Sequence, residues 1–433
     1  MLKPVDTKIE SLGEAKISSP LNKIGETNGF ISEGAAALVE IGVEAVGEQM
    51  DKGRIPAAFE LAGPREQLYF DSSKLRCAVV TCGGLCPGLN AIIRSIVLEL
   101  HHRYGARHII GIRYGLQGFI PAFGHATVDL TPESVGNIHN MGGSVLGSSR
   151  GAQDMEAIVD CLERMHTGIL FMIGGDGTLV AAAKIAETIA KRGLKISVVG
   201  IPKTIDNDIH MIARSFGFDT AVGEATRAIR AAHIEARGYP NGIGLVKLMG
   251  RHSGFLAATA ALAQQDVNFV LIPEVPFSPE GLHAALEERL KDRNHAVIVV
   301  AEGAGQHLFE DKALTEHDPS GNVRLADIGI FLKEKIANHF KQKGTDITLK
   351  YIDPSYMIRS LPPNASDQVF CSFLARNAVH AGMAGKTGLL IGHWNNCFVH
   401  VPMALSTGRR KQISPRGALW NSVLESTGQG ALV

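Results

Sequence analysis

Neither sign of charge is in excess in this chain. Its 433 residues carry 43 Lys and Arg against 43 Asp and Glu, so no net field is available to hold a nucleic acid, and no basic stripe takes its place. No window approaches the roughly 18 consecutive apolar residues of a membrane span. The opening MLKPVDTKIE is charged and lacks the apolar run of a secretory signal. Cysteine is scarce, and six in so long a chain make no disulfide framework. Together these absences predict a cytoplasmic protein with no membrane and no nucleic-acid partner. Aromatic residues are only 6% against 45% hydrophobic, so the core is aliphatic and large enough for a stable globular enzyme. At about 100–200 residues per domain, the length suggests two to three domains. Glycine, by contrast, is plentiful at 48 residues, and much of it stands at the ends of apolar runs.

Residues 1–75 read as an extension, with short amphipathic stretches such as Gly34–Val46 and no strong strand. It is expected to pack on the main body or on a partner subunit. From Arg76 the pattern becomes strand, glycine turn, helix, repeated: Cys77–Thr81 then Asn90–Leu100, Gly168–Ile173 then Leu179–Arg192, and Lys195–Ile201. The strands are continuous apolar runs rather than alternating ones, which indicates a parallel sheet covered by helices on both sides. The pattern resumes after a helical stretch at Asp219–Arg237, with strands at Gly242–Met249, Asn268–Ile272 and Ala296–Val300. The expected fold class is therefore α/β, with two Rossmann-like parallel-sheet domains facing across a cleft, preceded by the extension. The expected division is 76–219 plus about 362–401 for one domain and 220–361 for the other, with a polar, basic surface arm over 402–433.

In open parallel sheets, ligands sit beyond the carboxyl ends of the strands, so the loops there carry the argument. Cys77–Thr81 is followed by Gly83, Gly84 and a run leading straight into a helix. Glycines let a backbone approach an anion, and a helix N-terminus offers free N–H groups; an ordinary tight turn would look the same. Gly168–Ile173 is followed by Gly174-Gly175-Asp176-Gly177-Thr178. There a single carboxylate among glycines suits Mg²⁺ beside nucleotide phosphates, and a structural turn remains the alternative. Two such loops in one sheet favour phosphate.

Lys195–Ile201 is followed by Pro202-Lys203-Thr204-Ile205-Asp206-Asn207-Asp208. Two carboxylates two residues apart, beside a lysine, supply what phosphoryl transfer needs: a base, a metal-side carboxylate and a cation. A solvated acidic turn is the alternative. In the second half Arg251 and Arg359 offer guanidinium forks for a phosphate, and Glu302 an acceptor for sugar hydroxyls; for any one of them alone a surface ion pair is the commoner alternative. Cys82 and Cys86 have CxxxC spacing but no matching His or Cys pair, so no metal site is expected there.

Taken in order, GGLCPGLN, GGSVLGSSRG, IGGDGT, PKTIDND, GFDTAVGEA, LMGRHSG, AEGAG and YIDPSYMIRS resemble the 6-phosphofructokinase family from about Arg76 to Pro402. The resemblance is to its long ATP-dependent branch of plants, trypanosomatids and some bacteria, itself related to the pyrophosphate-dependent enzymes. It implies transfer of a phosphoryl group to the 1-hydroxyl of fructose 6-phosphate, with Mg²⁺, in a homo-oligomer, tetramer or dimer. By motif, Asp206 would be the general base, Asp208 its helper at the metal side, and Lys203 a cation near the migrating group. Asp176 would hold Mg²⁺. Gly83, Gly84, Arg150, Gly151, Gly175, Asp176, Gly177 and Thr178 would surround the nucleotide. Thr204, Ile205, Asp206, Met249, Gly250, Arg251, Glu302, Lys350, Tyr356, Met357, Ile358 and Arg359 would hold the sugar phosphate.

The chain departs from the family in places. Short bacterial members have His where Tyr356 stands, and an interface Arg where this chain has Gly242; Lys350 stands near a second interface Arg. The sugar-phosphate site is therefore expected to lean less on a neighbouring subunit or to use other cations, and the effector sites of short enzymes do not transfer. The family's pyrophosphate users usually carry a second Asp after GGD and a Lys before TIDND, whereas this chain combines Gly177 with Lys203. A carboxylate at 177 would block and repel the ATP α-phosphate, so ATP is the expected donor. The alternatives are the pyrophosphate-dependent enzyme, a kinase of the NAD-kinase or diacylglycerol-kinase type sharing GGDGT, and a silent nucleotide-binding regulatory subunit.

Overall fold

A computed structural model describes residues 6–21, 29–309 and 323–433; the portions of the expected extension at 1–5 and 22–28 lie outside these. The chain divides into two compact units. One comprises 1–204, 209–217 and 361–410, the other 205–208, 218–360 and 411–433.

The first unit is built on a seven-stranded sheet. In order across it stand Cys397–Pro402, Leu389–Trp394, Ser197–Pro202, Ile169–Gly174, Arg76–Thr81, His108–Ile112 and Val128–Asp129. The five inner strands are parallel and the two edge strands antiparallel. Every residue of Ile169–Gly174 is buried, as a strand with helices over both faces requires, and its register aligns Phe171 with Val79 on one side and Val199 on the other. The helix predicted over Asn90–Leu100 runs Leu89–Leu98 and continues as a π-helical turn, Glu99–Tyr104. The helix Asp176–Lys191 presents Leu179, Ala182, Ile185 and Ile189 to the sheet.

The described part of the extension is knitted onto this unit's edge. Ala58–Glu60 pairs with Ala36–Leu38, so the amphipathic stretch at 34–46 holds a short strand before the helix Val43–Asp51. Ala62 donates to Phe398 O at 2.9 Å, Leu61 bridges to Val399, and Trp394 Nε1 donates to Val39 O at 2.9 Å. Phe59 is fully buried in the unit's core, a contribution of about 1.5–3 kcal/mol for such a side chain. Beside it Glu60 meets Arg65 at 2.7 Å, Lys386 at 3.2 Å and His400 at 3.3 Å. Burial opposes ionisation of Glu60. The hydrogen bond and charge of His400, with Lys386 and Arg65, outweigh it and hold the carboxyl well below the usual range. No single one of these strands is longer than three residues, so the attachment comes from pairing with the main sheet.

The second unit has a four-stranded, fully parallel sheet: Phe269–Leu271, His295–Ala301, Gly242–Leu248 and Thr348–Ile352. The helix Phe218–Arg237 lies so close on Gly242–Leu248 that a Cβ at Gly242 would sit 1.9 Å from Ala236 O, and one at Gly244 2.8 Å from Ala232 O. Ser278 and Asp327 cap the helices Pro279–Arg293 and Ile328–Gln342 by accepting from first-turn N–H groups.

The segment after Pro402 differs from the expected surface arm. Its helix Met403–Ser406 buries Met403 and Ser406 and packs on Asp176–Lys191. The helix Ala418–Thr427 buries Trp420 and Val423 against Phe255–Gln264. Met403 in the first helix and Trp420 with Val423 in the second supply the apolar contacts that dock a segment whose average composition is polar. No helix among the described residues is long and apolar enough to cross a membrane.

Candidate active site

In the first unit three strand-end loops converge. Gly83 adopts φ +81, a conformation that favours glycine. A Cβ built on it would lie 3.8 Å from Lys203 Nζ and 3.9 Å from Thr178 Oγ1. Lys203 is buried and donates from Nζ to Gly84 O at 2.6 Å, while its backbone N–H donates to Gly174 O at 3.0 Å. The GGSVLGSSRG loop joins them: Gly83 N donates to Ser149 O at 3.3 Å, and Ser148 Oγ donates to Gly83 O at 2.6 Å. Arg150 follows as an exposed side chain and Gly151 takes φ +96. Thus Gly83, Gly84, Thr178 and Lys203, singled out from separate motifs, meet in one place. Ser148 and Ser149 were missed, although they lie inside a quoted motif.

Gly175 is the N-cap of the helix Asp176–Lys191, with Asp176 its first residue. Thr178 is buried and its N–H donates to Gly175 O at 2.9 Å. Gly177 is exposed, and a Cβ there would meet nothing within 4 Å; the protein's own packing does not require glycine at this position. Asp176 is 26% exposed and its Oδ2 lies 3.3 Å from Arg410 of the C-terminal segment. Among the described residues no group of three or more His, Cys, Asp or Glu is placed to hold a metal ion. A single accessible carboxylate at a helix N-terminus nevertheless fits Mg²⁺ that arrives on phosphates, since this ion keeps several waters and uses one or two protein carboxylates.

The PKTIDND run crosses from one unit to the other after Thr204. Ser215 Oγ donates to Thr204 O at 2.7 Å. Ile205 is buried and Asn207 takes φ +52. In the second unit Asp206 is half-buried with Oδ1 enclosed, and Ser253 Oγ donates to its backbone carbonyl at 3.4 Å. Asp208 is buried, and its carbonyl accepts from Lys411 N at 2.8 Å. Lys411 lies over the Phe255 ring at 4.9 Å; burial pushes its amine down to about 8, with the Asp208 charge opposing.

The second unit's strand ends bring charged side chains together. Gly250 takes φ +136, and a Cβ there would fall 2.6 Å from Ser253 O. Gly303 N donates to Gly250 O at 3.1 Å, so the MGR and AEGAG loops run backbone against backbone. Met249 is half-buried beside them. Glu302 sits among cations: burial pushes its carboxyl up, while Arg251, Lys247 and Arg359 pull it back. Arg251 also donates to Val323 O. Lys247, which sequence reasoning passed over, bonds Asp327 and Asp353 at 2.9 Å each. Burial works against its charge, but these two bonds prevail and raise its pKa.

The 3-10 turn Ser355–Arg359 buries Ile358 and exposes Tyr356 and Met357, with the Arg359 guanidinium 4.7 Å from the Tyr356 ring centre. Lys350 stands apart, mid-strand, 3.6 Å from Glu235 and over Tyr239. Gly242 cannot be replaced by a cation, because any side chain would run into Ala236.

Glycine-rich loops and helix N-termini at the carboxyl ends of parallel strands define an α/β protein of the phosphate-handling type. The phosphofructokinase family profile matches residues 76–382, and the chain belongs to that family. The chain is 48% identical to the ATP-dependent 6-phosphofructokinase of Borreliella burgdorferi, over 98% of this chain and 97% of that one. It is 47% identical to the Amycolatopsis methanolica enzyme of the same name, over 98% and 95%. With the Trypanosoma brucei brucei enzyme the figures are 46%, over 86% and 77%. A solved structure of the pyrophosphate-dependent phosphofructokinase from Marinobacter aquaeolei shares the fold at TM-score 0.67 and 18% identity, covering 82% of this chain and 92% of its own.

Proposed function

We propose that this chain transfers the terminal phosphoryl group of ATP to the 1-hydroxyl of fructose 6-phosphate, giving fructose 1,6-bisphosphate and ADP. The observation that carries the reading is the meeting of Gly83, Thr178 and Lys203 beside the capped helix that begins at Asp176. Close-approaching glycine backbone, a helix N-terminus and a buried ammonium stand together there, a combination suited to a polyphosphate.

In this reading Gly83, Gly84, Arg150, Gly151 and Gly175–Thr178 surround the nucleotide, and Lys203 faces the migrating group. Asp176 would hold Mg²⁺, which when bound neutralises charge on the donor phosphates. Asp206 accepts the proton of the attacking hydroxyl, and Asp208 supports it. Arg251 and Arg359 grip the 6-phosphate through their guanidinium forks, and Glu302 accepts from sugar hydroxyls. Thr204, Ile205, Met249, Gly250 and the turn carrying Tyr356, Met357 and Ile358 shape the sugar's surroundings, with Lys350 a more distant cation.

ATP is favoured over pyrophosphate by two observations: the relatives that match nearly end to end are named ATP-dependent, and the room at Gly177 is open. A coupled assay with fructose 6-phosphate, Mg²⁺ and either donor tests this. Turnover with ATP is expected, and turnover with pyrophosphate alone would overturn the donor assignment.

A further inference from the structure

The second unit holds a half-buried carboxylate to which none of the motifs above gives a role. Glu274 follows the strand Phe269–Leu271 by three residues. Both its oxygens accept from Gly254 N at 3.0 Å, and Oε1 also accepts from Ile413 N at 2.9 Å. Gly254 is the N-cap of the helix Phe255–Gln264, so the charge sits at the positive end of that helix, where it is favoured. A Cβ at Gly254 would run into the Ile272 side chain and stand 3.1 Å from Glu274 Oε2; glycine there lets the carboxylate seat. Burial pushes the carboxyl up, and the N–H groups of Ile413 and Gly254 pull it back.

Ile413 is itself buried and ends a three-residue stitch. Lys411 N donates to Asp208 O at 2.8 Å, Gln412 Nε2 donates to His252 O at 3.2 Å, and Ile413 N donates to Glu274. Residues 411–413 thus join the PKTIDND run to the MGRHSG loop. The two are tied a second time, since Ser253 is fully buried and its Oγ donates to Asp206 O at 3.4 Å. Capping one helix needs only the bonds to Gly254. The bond to Ile413, 139 residues further along the chain, makes Glu274 the point where both ties meet. On one side is the loop that carries Arg251, three residues before Gly254; on the other is the segment that holds Asp208.

Resting on the reading of Asp206 as the base and Arg251 as the phosphate fork, we propose that Glu274 is a positioning residue for the acceptor half of the site. It acts through Gly254 and Ile413, whose places set where Arg251 and Asp206 stand. Catalysis is steep in position, and a misplacement of about 1 Å can cost about 100-fold.

Steady-state kinetics on wild type, Glu274→Gln, Arg251→Met and the double variant test the assignment, with hydrogen exchange of the full chain beside them. Gln keeps the shape and loses the charge that strengthens these bonds. Glu274→Gln is expected to raise the fructose 6-phosphate KM about fivefold and lower kcat about threefold, with the ATP KM unmoved. In the Arg251→Met background its cost in KM should shrink below about twofold, because a residue that acts through another loses its effect when the other is gone. The same factor in both backgrounds overturns the proposal, as does an equal rise in the ATP KM. So does an unchanged fructose 6-phosphate KM: a merely structural loss lowers the melting temperature and the active fraction, and hence kcat, with both KM values kept.

Should Glu274→Gln not fold, Glu274→Asp, which keeps the charge and shortens its reach, is read in the same cycle with the same outcomes. Should Arg251→Met itself leave the fructose 6-phosphate KM unmoved, the acceptor reading falls instead. Exchange then decides Glu274: loss of protection at Gly254 and Ile413 together supports the proposal, and protection retained at either overturns it.

Discussion

The two parallel sheets carry opposite kinds of loop at their carboxyl ends. In the seven-stranded unit the strand ends are mostly backbone: Gly83, Gly84, Gly174, Gly175 and Gly177, with Lys203 as the buried cation among them. In the four-stranded unit they are side chains: Lys247, Arg251, Glu302 and Arg359, with mutual electrostatic influence centred on Glu302. The difference teaches what each ligand class demands. In the proposed reading, a polyphosphate tail calls for close approach to backbone and helix ends, which glycine permits. A sugar phosphate offers hydroxyls and one compact dianion, which call for forked donors and a carboxylate acceptor. Glycine in the second unit serves another purpose: Gly250 and Gly303 let two backbones touch, as the 1.9 Å approach of a Gly303 Cβ to Arg251 O makes plain.

The largest effect is expected on the run that passes between the units. Asp206→Asn keeps the shape of a half-buried side chain but removes the proton acceptor. In steady-state kinetics kcat should fall about 10²–10⁴-fold, the usual worth of a general base, with the KM for fructose 6-phosphate moving only a few-fold. A variant that kept its kcat would place the base elsewhere.

Next in size is a test of the backbone half of the comparison. Gly177 lies inside a helix, outside the positive-φ glycines, and has open space around it, so Gly177→Asp is expected to fold with an unchanged melting temperature. Its carboxylate would stand where donor phosphates pass. The kcat/KM for ATP should drop about 100-fold, a loss of about 2.7 kcal/mol, while acceptor affinity is preserved. Unaltered ATP kinetics would show that the glycine is incidental.

Much of this architecture was legible in the linear chain. A run such as ILFMI has no polar position, and its short length with glycines at both ends favours a strand buried on both faces over a buried helix, which is why the first unit's inner strands and their glycine turns lie where expected. What escaped was whatever depends on distant partners. Ala36–Leu38 and Ala58–Glu60 are too short to show a period, and their order comes from the edge strand Cys397–Pro402. The GRRK run reads as solvated charge because nothing local says that Arg410 meets Asp176. Lys350 matched a family position, yet its strand turns it toward Glu235 and Tyr239 on the helical side. Lys247, flanked by apolar residues in a strand, gave no hint of the two aspartates that receive it.

The smallest of the three effects probes the side-chain half. Arg251 carries positive charge beside Glu302 and donates to Val323 O. Arg251→Met keeps the unbranched apolar stem and discards the fork. Losing one charge-assisted contact to a phosphate costs about 1.5 kcal/mol at the low end, so the KM for fructose 6-phosphate should rise about tenfold with the KM for ATP unmoved. With Arg251 gone, Glu302 also loses the leading cation that pulls its carboxyl down, so its pKa should climb further. The fructose 6-phosphate KM should then worsen more at acidic pH than at neutral pH, since a protonated Glu302 accepts fewer hydroxyl bonds. An equal rise in both KM values would mean that the side-chain loops of the second unit serve donor and acceptor alike, and the division of labour between the two sheets would fail.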